Sequence, residues 1–144
     1  MSAISFDRAS LTGDPSAAAR WAGRIVTAIV VVFAAFDAVV KLIPAKFAVD
    51  ATVQLGYQPH HVRLIGLFAL VFLVLYLVPR TAVVGAVLWT AYLGGAVASN
   101  LRLDEPVLSH TLFPVYFALL LWGGLYTRDP RVRALIRPRP RDRR

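Results

Sequence analysis

Leu67-Phe68-Ala69-Leu70-Val71-Phe72-Leu73-Val74-Leu75 carries no polar side chain on any face, and Ile29-Val30-Val31-Val32-Phe33-Ala34-Ala35-Phe36 repeats the pattern nearer the start of the chain. A segment apolar all round belongs inside a large core or a bilayer, not on the surface of a small soluble domain. Strands in a membrane would alternate outward apolar with inward polar residues around a closed barrel, so these runs read as helices. Working outward from them, four apolar stretches, residues 25–43, 62–78, 81–99 and 111–126, fill about half of the 144 residues. A hydrocarbon core about 30 Å thick takes roughly 17–25 mostly apolar helical residues to cross. The expected fold is therefore an all-α integral membrane protein. It is a single antiparallel bundle of four transmembrane helices over residues 21–127, with spans near 21–43, 61–78, 80–99 and 110–127.

Composition points the same way. A chain of this length with 58% hydrophobic residues and a mean hydropathy of +0.62 has more apolar surface than a soluble domain of its size can bury. No separate soluble domain fits in the remainder. Cysteine is absent, which excludes thiol-disulfide chemistry carried by this chain itself.

The cations set the orientation. With four spans, Arg8, Arg20, Arg24, Arg80 and the arginines from Arg128 onward share one side, and Lys41, Lys46, Arg63 and Arg102 share the other. The positive-inside rule puts both termini in the cytoplasm. Residues 1–20 hold Asp7, Asp14 and Pro15 ahead of the first apolar run, which argues for a polar cytoplasmic tail and against a secretory signal. Residues 128–144 form a basic Pro/Arg-rich cytoplasmic tail whose prolines, Pro130, Pro138 and Pro140, are expected to keep most of it non-helical. With no aromatic side chain to stack on bases, that tail reads as an anchor for anionic lipid headgroups and not for nucleic acid.

Two connections carry structural signals. Val78-Pro79-Arg80-Thr81 is so short that the helices on either side must be antiparallel neighbours, with Pro79 suited to the first turn of the third span. In the first outside loop, residues 46–57 alternate apolar and polar in the manner of a strand. A lone strand would leave its backbone unpaired, and Gly56 makes a helix stop, so a short interfacial helix is expected. The third span carries small residues every fourth position, at Ala82, Ala86, Thr90, Gly94 and Ala98, with a second row at Ala91, Gly95 and Ser99. Such rows let helix backbones approach, which predicts a central packing helix or an interface between copies of the chain.

Any chemistry is expected at the outer side. Tracing the spans alternately in and out brings Asp37, Lys41, Arg63, Asn100, Arg102 and His110 to that face, with Trp89, Tyr92, Tyr116 and Trp122 below them. Asp37 and Lys41 stand four apart on one helical face, acid first, the favourable order for an ion pair. A carboxylate about 9 Å inside the helix end should face the bundle interior and be paired or protonated. Two readings stay open: an ion pair that fixes helix packing, or a polar pocket, including Tyr92, for a small amphipathic ligand. His60, His61 and His110 lie on the same side without the spacing of a metal site, so no metal is expected. Nothing in the chain suggests hydrolysis or phosphoryl transfer.

The order of motifs resembles the DoxX-like family of small bacterial membrane proteins. The resemblance rests on Asp37-Ala38-Val39-Val40-Lys41-Leu42, Leu55-Gly56-Tyr57, Arg63-Leu64-Ile65-Gly66, Pro79-Arg80-Thr81-Ala82 and Gly85-Ala86-Val87-Leu88. It continues through Tyr92-Leu93-Gly94-Gly95-Ala96-Val97-Ala98, Leu101-Arg102, Pro114 and Trp122-Gly123-Gly124-Leu125-Tyr126-Thr127-Arg128-Asp129, so that it covers nearly all of residues 20–135. The chain departs from the family at Asp37, where a small residue is usual. The resemblance implies a four-helix, multi-pass protein of the bacterial inner membrane. Better-studied relatives are linked to sulfur-compound oxidation with quinone and to membrane assemblies that resist oxidative stress. The resulting expectation is a small-ligand-binding or accessory subunit of a membrane assembly, partnered by the lipid bilayer and by copies of itself or another membrane protein, and not a self-sufficient enzyme. No cofactor is expected on this reading. Its first alternative is a quinone-reactive oxidoreductase subunit, with Lys41, Arg63 or Arg102 donating to a quinone carbonyl and Asp37 or His110 exchanging the proton. Its second is a proton-coupled transporter titrating at Asp37.

Overall fold

The computed structural model describes residues 17–136, in which every regular element is a helix and none is a strand. The order is α1 (Ala17–Leu42), α2 (Lys46–Gln54), α3 (His61–Leu77), α4 (Ala82–Arg102), a π-helical turn (Val107–Thr111), α5 (Phe113–Arg128) and α6 (Pro130–Ile136). Helices α1, α4 and the segment Val107–Arg128 are each long and apolar enough to cross a membrane, while α3, with 17 residues, is shorter. Each long helix neighbours the next, and α5 returns to α1, so α1, α3, α4 and α5 close into a ring.

The core sets small residues of α1 against large side chains of its neighbours. Val30, Ala34 and Ala38 on α1 are buried at every fourth position, against Ala69, Leu73 and Tyr76 on α3 and Phe117, Leu121 and Leu125 on α5. The outside is as apolar as the inside. Ile25, Ile29, Val32, Phe36, Leu67, Phe68, Val71, Val84, Val87 and Leu119 are all exposed, from every long helix. A water-soluble monomer does not carry a continuous girdle of this kind, whereas a bilayer solvates it. The chain is a membrane protein with transmembrane helices.

The first loop is a helix, and Ala48 and Thr52 of α2, four residues apart, face the bundle. It stops at Gly56, whose φ of +86° favours glycine. Arg102 covers that turn, its guanidinium donating to the Leu55 carbonyl at 2.9 Å. One expectation needs correction, and the basic tail departs from a second over part of its length. Pro79 lies in the turn, and α4 begins at Ala82 because the Thr81 hydroxyl donates back to the Leu75 carbonyl at 2.9 Å and holds the chain in a tight reversal. Residues 130–136 are helical despite Pro130, since proline in a first turn lacks only an N–H that the helix does not need. The rest of the expected tails, residues 1–16 and 137–144, falls outside the described residues, and with it most of the predicted headgroup anchor.

The small-residue row of α4 does not stay on one side. Ala82 and Ala86 are buried, whereas Thr90, Gly94 and Ala98 are exposed. At about 100° per residue, a step of four advances about 40° around the helix, so five such positions turn from the core to the outside. A Cβ added at Gly94 or Gly95 would meet no atom within 4 Å. Gly95→Ala is therefore expected to stabilise the protein by about 0.5–1 kcal/mol, measured by denaturant titration in detergent, because helix-interior glycine costs backbone entropy. A loss of stability would show that another chain packs on that face.

Candidate functional site

The polar residues meet at the end of the bundle formed by the C-termini of α1 and α4 and the approach to α5. Gly66 of α3 creates the crowding there. A Cβ on it would lie 2.8 Å from Lys41 Cβ and 3.0 Å from the Leu42 amide nitrogen, so α3 sits against the backbone of α1 at this level. The Lys41 ammonium reaches one turn back to Asp37, donating to Oδ1 at 2.6 Å and Oδ2 at 2.7 Å, and across to the Tyr92 hydroxyl on α4 at 2.9 Å. Tyr92 in turn donates to Asp37 Oδ2 at 3.2 Å. All three ammonium protons are used, and the network is closed apart from the remaining lone-pair capacity of the carboxylate. Side-chain exposures of 16% for Lys41 and 25% for Asp37 leave the pair largely desolvated.

This network is a wall between two clefts, each of about 290 Å³. On one side, Asp37, Lys41, Tyr92, Asn100 and His110 share a cleft with the aromatic side chains Phe33, Trp89, Phe113 and Phe117. The rings pack at centroid distances of 5.0 Å (Phe33–Phe117), 5.4 Å (Phe33–Phe113) and 6.0 Å (Trp89–Phe117). Trp89 is 2% exposed, and its indole N–H is buried without an acceptor among the described residues. A buried orphan donor costs about 1–3 kcal/mol and calls for a reason. On the other side, Lys41 and Tyr92 border a cleft with Leu55, Tyr57, Ile65, Gly95 and Ser99, where Tyr57 and Ser99 are hydrogen-bonded at 2.7 Å.

Asn100 has a structural task at the cleft mouth. Pro114 has no N–H to give the His110 carbonyl, the acceptor four residues back in a regular helix. The Asn100 side-chain amide supplies the missing donor at 3.1 Å, and the chain enters α5 through the π-helical turn. The His110 ring meets Ser109 at 2.8 Å between Nδ1 and Oγ. Arg63 is exposed on α3 and lines neither cleft, and Arg102 is committed to the Leu55 carbonyl. Of the deeper aromatics, Tyr116 is exposed and Trp122 donates to the Thr90 hydroxyl at 2.9 Å, away from the cleft. Among the described residues, no three His, Cys, Asp or Glu side chains gather as a metal site.

Of the aromatic wall, Trp89 was among the expected residues and Phe33, Phe113 and Phe117 were not, although their spacing is visible. Phe33 is one turn before Asp37, Phe113 and Phe117 are four apart, and Trp89, Tyr92, Ala96 and Asn100 recur at intervals of three or four along α4. The Tyr57–Ser99 contact joins elements far apart in sequence, and no local pattern announces it.

Residues 25–124 match the sequence model of the DoxX-like family. No curated protein and no solved structure matches the chain.

Proposed function

The chain belongs to the DoxX-like family, and we propose that its four long helices all span the bacterial inner membrane, with both termini cytoplasmic, and present an outward-facing binding cleft for a small amphipathic molecule. In this role it is a ligand-binding or accessory subunit of a membrane assembly. The observation that carries the reading is the Trp89 N–H, held without an acceptor among the described residues beside a cleft whose far wall is the Asp37–Lys41–Tyr92 network. A ligand hydroxyl or carbonyl oxygen would satisfy the indole, and a ligand hydroxyl could donate to the unused lone pair of Asp37. Phe33, Phe113 and Phe117 would enclose its apolar part. Asn100 and His110 would then shape the entrance, while Arg63 and Arg102 stay outside the binding surface.

A quinone-type ring is the second reading, favoured by the aromatic lining. Flat rings suit offset and edge contacts with such walls.

Native mass spectrometry of the gently solubilised protein, with extraction of the same sample, tests both. A stoichiometric small molecule is expected on the wild type and lost from Trp89→Phe. That variant is expected to keep its stability within about 1 kcal/mol, because removing an orphan donor offsets the lost packing. A wild type that carries nothing, together with an indistinguishable variant, would sink the reading. A benzoquinone chromophore in the extract would select the second.

A further inference from the structure

The opposite end of the bundle, where α1 begins and α5 ends, is built by two reciprocal notches. Gly23 of α1 receives Thr127 of α5, and Gly124 of α5 receives Thr27 of α1. A Cβ on Gly23 would collide with the Thr127 side chain, and one on Gly124 would lie 2.8 Å from Thr27 Oγ1. Beside this seam is a cleft of about 510 Å³ lined by Arg20, Arg24 and Arg128, the two threonines, and a floor that includes Ala28 and Val31. No carboxylate lines it among the described residues.

Three features make this more than a basic surface. The Arg128 guanidinium is held in place, donating to the Tyr76 carbonyl and lying over the Tyr76 ring at 4.2 Å. Arg24 stands on the facing helix with its guanidinium 5.6 Å from the Trp21 ring centroid. The Thr27 hydroxyl is buried without a hydrogen-bond partner among the described residues, whereas the Thr127 hydroxyl is spent on the Gly124 carbonyl at 2.8 Å. Cations on both walls and a spare hydroxyl below them suit a compact anion with several oxygens. The exposed Ile25, Ile29 and Val32 continue along α1 as apolar surface, which suits acyl chains attached to that anion.

We propose that this cleft binds the phosphate of an anionic phospholipid, with Arg24 and Arg128 on its oxygens, the Thr27 hydroxyl as a further donor and the acyl chains along α1. Basic pockets between helices at a cytoplasmic face are suited to such headgroups. The site is independent of the cleft at Trp89, which lies at the other end of the molecule.

The test uses the full chain, delipidated in mild detergent and titrated in native mass spectrometry with palmitoyl-oleoyl phosphatidylglycerol or phosphatidylcholine. One phosphatidylglycerol is expected to be retained in preference to phosphatidylcholine. Arg24→Gln is expected to weaken that retention about fivefold, the equivalent of one basic contact near the surface, while Arg24→Lys keeps most of it. Thr27→Val leaves the charges in place and is also expected to weaken it. Arg63→Gln, remote from the cleft, is expected to change nothing. Equal retention of both lipids, or an Arg24→Gln variant that binds as the wild type does, would overturn the proposal. Displacement of the lipid by millimolar inorganic phosphate would assign the cleft to a free anion and overturn the lipid source, whereas retention in its presence supports it.

Discussion

Lys41→Met is expected to lower stability by about 3 kcal/mol, because it strands Asp37 in a largely desolvated site. The loss is not the worth of a surface ion pair, which is usually below about 1 kcal/mol. It arises because the carboxylate keeps only the 3.2 Å hydrogen bond from Tyr92 after losing donors at 2.6 and 2.7 Å. The double variant Asp37→Asn/Lys41→Met is expected to recover most of the loss, since an amide and a thioether need no counter-charge there. Unfolding of the single and double variants in a graded series of denaturing detergent, followed by circular dichroism, gives the comparison. If Lys41→Met is no less stable than the wild type, the pair does not bind the bundle together. If the double variant is as unstable as the single, packing of the lysine stem is the dominant effect.

Gly85→Ala is expected to cost about 3 kcal/mol or more, the upper range for overpacking. The added methyl would fall on the Tyr76 backbone nitrogen and Cα and on the Leu75 carbonyl carbon. Backbone atoms cannot rotate aside as side chains can, so α3 and α4 would have to part along their tightest contact. The same separation would disturb Tyr76, which is fully buried and donates its hydroxyl to the Leu121 carbonyl at 2.9 Å. Gly85→Val is expected to abolish folding, read as loss of the monodisperse species in size-exclusion chromatography. A well-folded Gly85→Ala variant would mean that the α3–α4 hairpin has slack the packed structure does not show. The contrast with Gly95→Ala, same helix and opposite sign, separates close approach from helix propensity.

These two cases also mark what the chain discloses before it is folded. The apolar runs are legible because hydropathy is local, and Asp37 and Lys41 are legible because four residues span one helical turn. Asn100 looks like an available outer polar group until the missing N–H of Pro114 is set beside it, and that pairing appears only when α4 and α5 are adjacent. Arg102 is similar: its partner is a carbonyl in a loop 47 residues earlier. The small-residue row on α4 packs inside the bundle only at Ala82 and Ala86 for a geometrical reason, since fourfold spacing drifts away from the packing face. Gly85 and Gly95 look equivalent as letters, and only the neighbour opposite each distinguishes them.

The shortness of α3 has an effect outside the protein. Its 17 residues rise about 25 Å, whereas the 26 of α1 rise about 39 Å. If both helices cross the same bilayer, the molecule is thinner along one flank than along the other. Lipids beside α3 must compress or tilt, at an elastic cost of fractions of a kcal/mol per ångström, and shorter acyl chains relieve it. The protein would thus gather thin membrane on one side of itself, and any partner with an equally short helix would gain by standing there, where the two deformations merge into one.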